Sequence, residues 1–145
     1  MKSYVIFNRK ILLAFIVAFL SILLICCELY SAAITVSNAK TDAERIAFIK
    51  SLGFAPLNVS PSSKSTQIPD VFSAVYENYN ELQLLAGYDL RDFKGCEVTI
   101  FSYFIETPDG YSGDTVFNII VYNNRVIGGD VSSRELGGFM LPITK

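Results

Sequence analysis

Histidine is absent from all 145 residues. That rules out Ser-His-Asp and Cys-His catalytic units, together with zinc or copper sites built on imidazole. Cysteine is scarce: Cys26 and Cys27 close a long apolar run, and Cys96 stands alone in the remainder. Three cysteines so separated cannot form a thiolate zinc site, and a lone one cannot close an intradomain disulfide. Cys96, at the start of a predicted strand, is expected to be a buried, unreactive thiol. Clustered positive charge is also missing. Residues 28–145 carry nine Lys and Arg against 14 Asp and Glu, a balance of −5. Nucleic acid, phosphate polymers and anionic lipid surfaces are repelled on average by such a domain. No internal repeat occurs, and the only low-complexity stretch is serine-rich, SPSSKSTQ at 60–67. The composition therefore calls for no metal, no cofactor and no nucleic-acid partner.

What is present begins with ILLAFIVAFLSILLICC, residues 11–27, which hold no charge and one hydroxyl, Ser21. As a helix, 17 residues at about 1.5 Å each cover roughly 25 Å, near the short end of a bilayer span, and Leu29 and Tyr30 can extend it. Lys2, Arg9 and Lys10 precede the run while Glu28 follows it, so the cation excess predicts a cytoplasmic N-terminus and an extracytoplasmic remainder. A secretory signal peptide cleaved after Ala33 is the alternative, with Ser31 and Ala33 as its small residues, but the apolar run is long for a signal core. Lipidation at Cys26 is disfavoured by the bulky Ile25 before it. The expected organisation is a cytoplasmic N-terminus and transmembrane signal anchor over 1–30, a tether over 31–40, and an extracytoplasmic domain over 41–145.

In that domain, Thr41-Asp42-Ala43-Glu44 reads as a helix start, with Ala43, Ile46, Ala47 and Ile49 at helical spacing and Gly53 as the C-terminal glycine. Residues 54–59, FAPLNV, read as a short edge strand limited by Pro56, and 60–67 as a loop. Pro69 fits the first position of a longer helix whose stripe is Val71, Phe72, Val75, Tyr76, Tyr79, Leu82 and Leu85, ending before Gly87. Cys96 to Ile105 and Thr115 to Tyr122 are strands apolar on both alternating sets, as doubly covered strands are. Thr107-Pro108-Asp109-Gly110 marks a turn, and Asn123-Asn124 a tight hairpin before a third strand from Arg125 to Ser132. The pattern predicts an α+β fold: an N-terminal transmembrane helix, then two helices packed on an antiparallel β-meander.

Without histidine, chemistry falls to paired carboxylates, as in glycosidases. Glu77, Glu81, Asp89, Asp92 and Asp130 are the candidates. Glu77 and Glu81, four apart on the long helix, read as a solvated face, and Asp89 and Asp92 around Arg91 as local caps with too few oxygens for an EF-hand calcium loop. Tyr76, Tyr79, Tyr88, Phe93, Phe101, Tyr103 and Phe104 concentrate near the long helix and first long strand. They form either the helix-on-sheet core or a partly exposed platform for a peptide or glycan. Gly128-Gly129 lies between strand-like flanks, unlike phosphate-binding fingerprints, and so predicts a bulge or a close approach of the long helix, with Asp130 bonding backbone amides there.

The succession IPDVFSAVYENYNELQ, GYDLRDFKG, IIVYNNRVIGGDVSS and LGGFM resembles a family of membrane-anchored or exported Gram-positive proteins known only as a domain of unknown function. The likeness runs from about Asp42 to Met140 and rests on Tyr79-Asn80, Gly87-Tyr88-Asp89-Leu90, Gly95 and Gly128-Gly129-Asp130, with Phe54 standing where tryptophan is expected. It implies an envelope location and no known reaction. Tyr79, Asn80, Tyr88, Asp89, Gly128, Gly129 and Asp130 are the residues expected to meet a ligand or partner. The expected function is non-enzymatic binding of an envelope protein, a peptide or a second copy, with edge pairing near Pro56 as one mode. The alternative is a carboxylate-dependent glycan hydrolase using two of Asp89, Asp92 and Asp130.

Overall fold

A computed structural model describes residues 15–25, 38–111 and 113–144, and the chain divides into two units, Met1–Thr35 and Val36–Lys145. In the first, residues 15–25 are helical with exposed side chains, and the Ser21 hydroxyl donates to the Ala18 carbonyl at 2.8 Å. Among the described residues, no helix is long and apolar enough to cross a membrane. Residues 11–14 and 26–27 of the expected span, and most of the tether, lie outside the described residues.

The second unit opens with helix α1, Asp42–Ser51, held by a capping box: the Thr41 hydroxyl accepts from the Glu44 amide, and the Glu44 carboxylate accepts from the Thr41 amide at 2.8 Å. Gly53, at φ +89°, takes the left-handed conformation just beyond the helix end. Five strands follow as a meander of adjacent antiparallel neighbours. They are β1 (Ser62–Gln67), β2 (Glu97–Ile105), β3 (Thr115–Tyr122), β4 (Arg125–Ser133) and β5 (Met140–Pro142). Helix α2, Ala74–Leu85, and a 3₁₀ turn, Leu90–Phe93, lie between β1 and β2. The α+β class and the meander are as the sequence predicts, and the sheet is wider by β1 and β5.

Both sheet faces are covered. Phe48 and Ile49 of α1 pack with Tyr103, Ile105, Phe117, Ile119 and Val131, while Tyr76 and Tyr79 of α2 pack with Val98, Ile100, Ile120 and Ile127. The register places these two sets on opposite faces, which accounts for the two apolar sets of β2 and β3. Asn123 and Asn124, at φ 48° and 63°, make the β3–β4 hairpin with the positive angles asparagine tolerates.

Three local expectations are corrected. The edge strand is β1, within the stretch expected to be a loop; Pro56 makes only an isolated bridge to Ile105. A solvated edge strand needs no apolar side chains, because its backbone bonds to β2 hold it and polar residues discourage further pairing. Helix α2 starts at Ala74, not Pro69, because the Ser73 hydroxyl caps the Tyr76 amide. Its apolar stripe is its buried side only in part: Phe72, Tyr76 and Tyr79 pack against the sheet core, and the rest of the stripe does not. Val71, Val75 and Leu85 are 84%, 80% and 71% exposed, whereas Asn80 and Gln83 are fully buried.

Helix α1 is tied to the sheet through Arg45, which is buried and stacks over the Phe101 ring at 3.8 Å. Its Nε donates to the Tyr103 hydroxyl at 2.6 Å, and that hydroxyl donates to Asp42 at 2.7 Å. Tyr103→Phe leaves the Arg45 donor unmatched, so a loss of roughly 1–3 kcal/mol in urea unfolding is expected; an unchanged midpoint would show that Arg45 is solvated there instead.

Candidate functional site

Helix α2 lies against β4 through a close approach that Gly128 permits, while Gly129 makes room for the β3 backbone. The Gln83 side-chain oxygen accepts from the buried Gly129 amide at 2.7 Å. A Cβ on Gly128 would stand 2.7 Å from that oxygen and 3.3 Å from Leu90, and one on Gly129 would collide with the Asn118 backbone carbonyl. Neither glycine has a positive φ, so space and not conformational freedom is what selects them. A bulge lies beside the glycines and not at them: the β3–β4 register shifts between Ile120 and Val121, which pair with Gly128 and Val126 and leave Ile127 as the extra residue.

Asp130, buried two residues on, faces α2 and not the backbone amides expected of it. Its carboxyl accepts from the Tyr79 hydroxyl at 2.9 Å and from the Asn118 side-chain amide at 2.8 Å. Asn118 in turn accepts from the Ser102 hydroxyl at 2.6 Å, so one polar chain crosses from α2 through β4 and β3 to β2. Burial, then the adjoining Asp130 carboxylate, pushes the Tyr79 hydroxyl far above its ordinary pKa.

Asn80 extends this clamp to the connector. Its amide donates to Asp89 at 2.9 Å and its oxygen accepts from the Leu90 amide at 2.7 Å. Asp89 also caps the 3₁₀ turn by accepting from the Arg91 amide at 3.0 Å, as a capping aspartate should. That bond first, and the Asn80 amide second, hold the Asp89 carboxyl below the usual carboxylate range. Arg91 reaches back to Glu77 at 2.7 Å.

Beside the clamp opens a cavity of about 550 Å³. Its walls include Tyr88, Asp89, Asp92 and Phe93 from the connector and Tyr122 and Arg125 from the β3–β4 hairpin. Phe93 and Tyr122 meet edge to face, 5.6 Å between centroids. Among the described residues, Asp92 and Arg125 form no ion pair with each other or with another group.

The seven residues expected to meet a ligand therefore divide. Tyr88 and Asp89 line the cavity, whereas Tyr79, Asn80, Gly128, Gly129 and Asp130 belong to the buried clamp and do not line it. Of the three carboxylates considered for glycan hydrolysis, Asp89 and Asp92 share the cavity and Asp130 does not. Sequence reasoning missed Tyr122 and Arg125 as cavity residues, and Gln83, Asn118 and Ser102 in the clamp. Asn118 carried a signal, being the one amide inside the apolar run TVFNIIVY, but Tyr122 and Arg125 flank an ordinary hairpin turn and carried none.

Two outcomes are expected. Gly128→Ala can be met by displacing a side chain at roughly 1–3 kcal/mol, whereas Gly129→Ala must move backbone and lowers thermal stability further; equal losses would contradict the packing described. A tyrosine whose pKa is higher folded than unfolded retains its proton in the folded state, so stability is constant below about pH 10 and falls above it. The fall with pH is expected to be shallower in Tyr79→Phe when unfolding is followed by circular dichroism, and an unaltered slope would mean that Tyr79 ionises as freely as in the unfolded chain.

No curated protein and no solved structure matches this chain. A family model does, over residues 48–131, a span that takes in β1, α2, the 3₁₀ turn, β2, β3, the glycine pair and Asp130. Its description is a domain of unknown function, DUF4830, and the chain belongs to that family.

Proposed function

We propose that this chain is a single-pass membrane-anchored extracytoplasmic domain of the cell envelope that binds a ligand or partner without transforming it. The observation that carries the binding role is the cavity beside the clamp, with aromatic walls and charged groups held on rigid elements. The anchor rests on the uncharged run at 11–27 with its preceding cations.

Glycan hydrolysis is the second function to weigh, because Asp89 and Asp92 share one cavity. A glycosidase needs one carboxyl with a raised pKa to protonate the leaving group. Asp89 is shifted the other way by the bonds that make it a cap, which leaves Asp92 alone at the cavity for the acid role, so binding is preferred to acid catalysis. Release of reducing ends from envelope polysaccharide, abolished by Asp92→Asn, would reverse that preference.

A photo-crosslinking residue at position 88, in the full chain expressed in a Gram-positive host, tests the proposal. The expected outcome is an intact chain in the membrane fraction that forms a defined adduct from position 88 and none from the exposed position 59. Adducts of equal yield at both positions, or at neither, would remove the cavity as the binding site. A product beginning at Ile34 in the medium would replace the anchor with secretion.

A further inference from the structure

The cavity's walls narrow what it can hold. Two carboxyl groups, Asp89 and Asp92, face it against one guanidinium, Arg125. One oxygen of Asp89 is taken by Asn80 and the Arg91 amide, while the other has only the Arg91 guanidinium 3.7 Å away, and Arg91 itself is drawn to Glu77 at 2.7 Å. Gly87, at the cavity wall, directly follows the C-terminal end of α2, where the helix dipole is negative and no basic side chain in the last turn offsets it. Three aromatic rings, of Tyr88, Phe93 and Tyr122, complete the wall, and ring faces attract cations. The field in most of the cavity therefore favours a cation. Arg125 is the exception: it faces the same space without pairing with Asp92. Opposite charges that share a cavity and do not neutralise each other suit a ligand carrying both signs at a fixed separation.

We propose, resting on the binding role above, that the cavity recognises an ammonium-bearing amino acid or short peptide, with the ammonium between Asp89, Asp92 and the rings and a carboxylate at Arg125. The ligand class is that of lysine or a lysine-containing peptide. A neutral ligand of the same size leaves the Asp92 carboxyl to be desolvated unpaired, and a simple anion meets two carboxyl groups of its own sign. Asp92 and Arg125 are both outside the buried clamp, so changing either leaves the fold's polar network in place.

The test is titration of the full chain in detergent micelles by isothermal calorimetry, with resonances of Tyr88, Phe93 and Tyr122 followed by NMR. The probes are the tripeptide Ala-Lys-Ala, its isostere Ala-norleucine-Ala, and Ala-Glu-Ala, each N-acetylated so that the lysine ammonium is the one cation among them and the C-terminal carboxylate is kept. Saturable binding of Ala-Lys-Ala that shifts the three rings is expected, weaker by about tenfold in Asp92→Asn and in Arg125→Gln, with the norleucine peptide at least tenfold weaker. If the norleucine or glutamate peptide binds as well as the lysine peptide and moves the same rings, the charge assignment is overturned while the cavity remains a binding site. If no probe moves the rings, both the ligand class and the cavity as a peptide site are overturned.

Discussion

The approach of helix α2 to strand β4 is the constraint on which the rest of this domain depends. Gln83 reaches the Gly129 amide only because position 128 has no side chain, and its bond satisfies a donor that the helix would otherwise bury without a partner. Gly128 and the Gln83 oxygen are therefore specified together by the Gly129 bond, although the Gln83 side-chain nitrogen is itself buried without a partner among the described residues. Asp130 and Tyr79 make the same contact one turn of the helix away, joined to β3 through Asn118. Helix α2 is thus held by directional polar bonds on the side where an ordinary amphipathic helix carries leucine. Such bonds fix the rotation and height of a helix more tightly than apolar packing, which tolerates slippage.

That fixation extends along the chain. Asn80, on the buried side of α2, holds Asp89 and the Leu90 amide, and Leu90 is itself completely buried. The connector from Gly87 to Phe93 therefore inherits its position from the helix, and with it go Tyr88, Asp89, Asp92 and Phe93. The opposite wall inherits its position from the Asn123-Asn124 turn and the adjoining bulge, which set where Tyr122 and Arg125 emerge. Asp89 does both, but otherwise one set of residues makes the geometry and a different set meets the open space. The two sets are interleaved in sequence, Asn80 and Asp89 being bonded across nine residues, which is why they look alike until the side chains are placed.

Much of the fold was legible because it rests on local rules. The Thr41 cap, the Asn123-Asn124 turn and the doubled apolar pattern of β2 and β3 each depend on a few neighbouring residues, and the meander follows from their order. Strand β1 was not legible, since a strand that is solvated and held by its backbone has no pattern to find in SSKSTQ. The inner face of α2 was legible at Tyr76 and Tyr79 and misjudged elsewhere, for the opposite reason. Valine at 71 and 75 and leucine at 85 signal burial by composition, yet the helix is rotated by the bonds of Tyr79, Asn80 and Gln83 to groups up to 51 residues away.

For the candidate site, the sequence by itself determined the available chemistry: no imidazole, no thiolate cluster, a few carboxylates and many tyrosines. It also marked Gly128-Gly129 as a place where something passes closely, because two adjacent glycines in a strand have few other uses. Only the tertiary structure decided which carboxyl faces open space and which is locked inside. Asp89, Asp92 and Asp130 are the same functional group, and the difference lies in partners brought from other strands and from α2. Those contacts are set by the register of β3 on β4 and by the rotation of one helix, and neither quantity is encoded at the positions it governs.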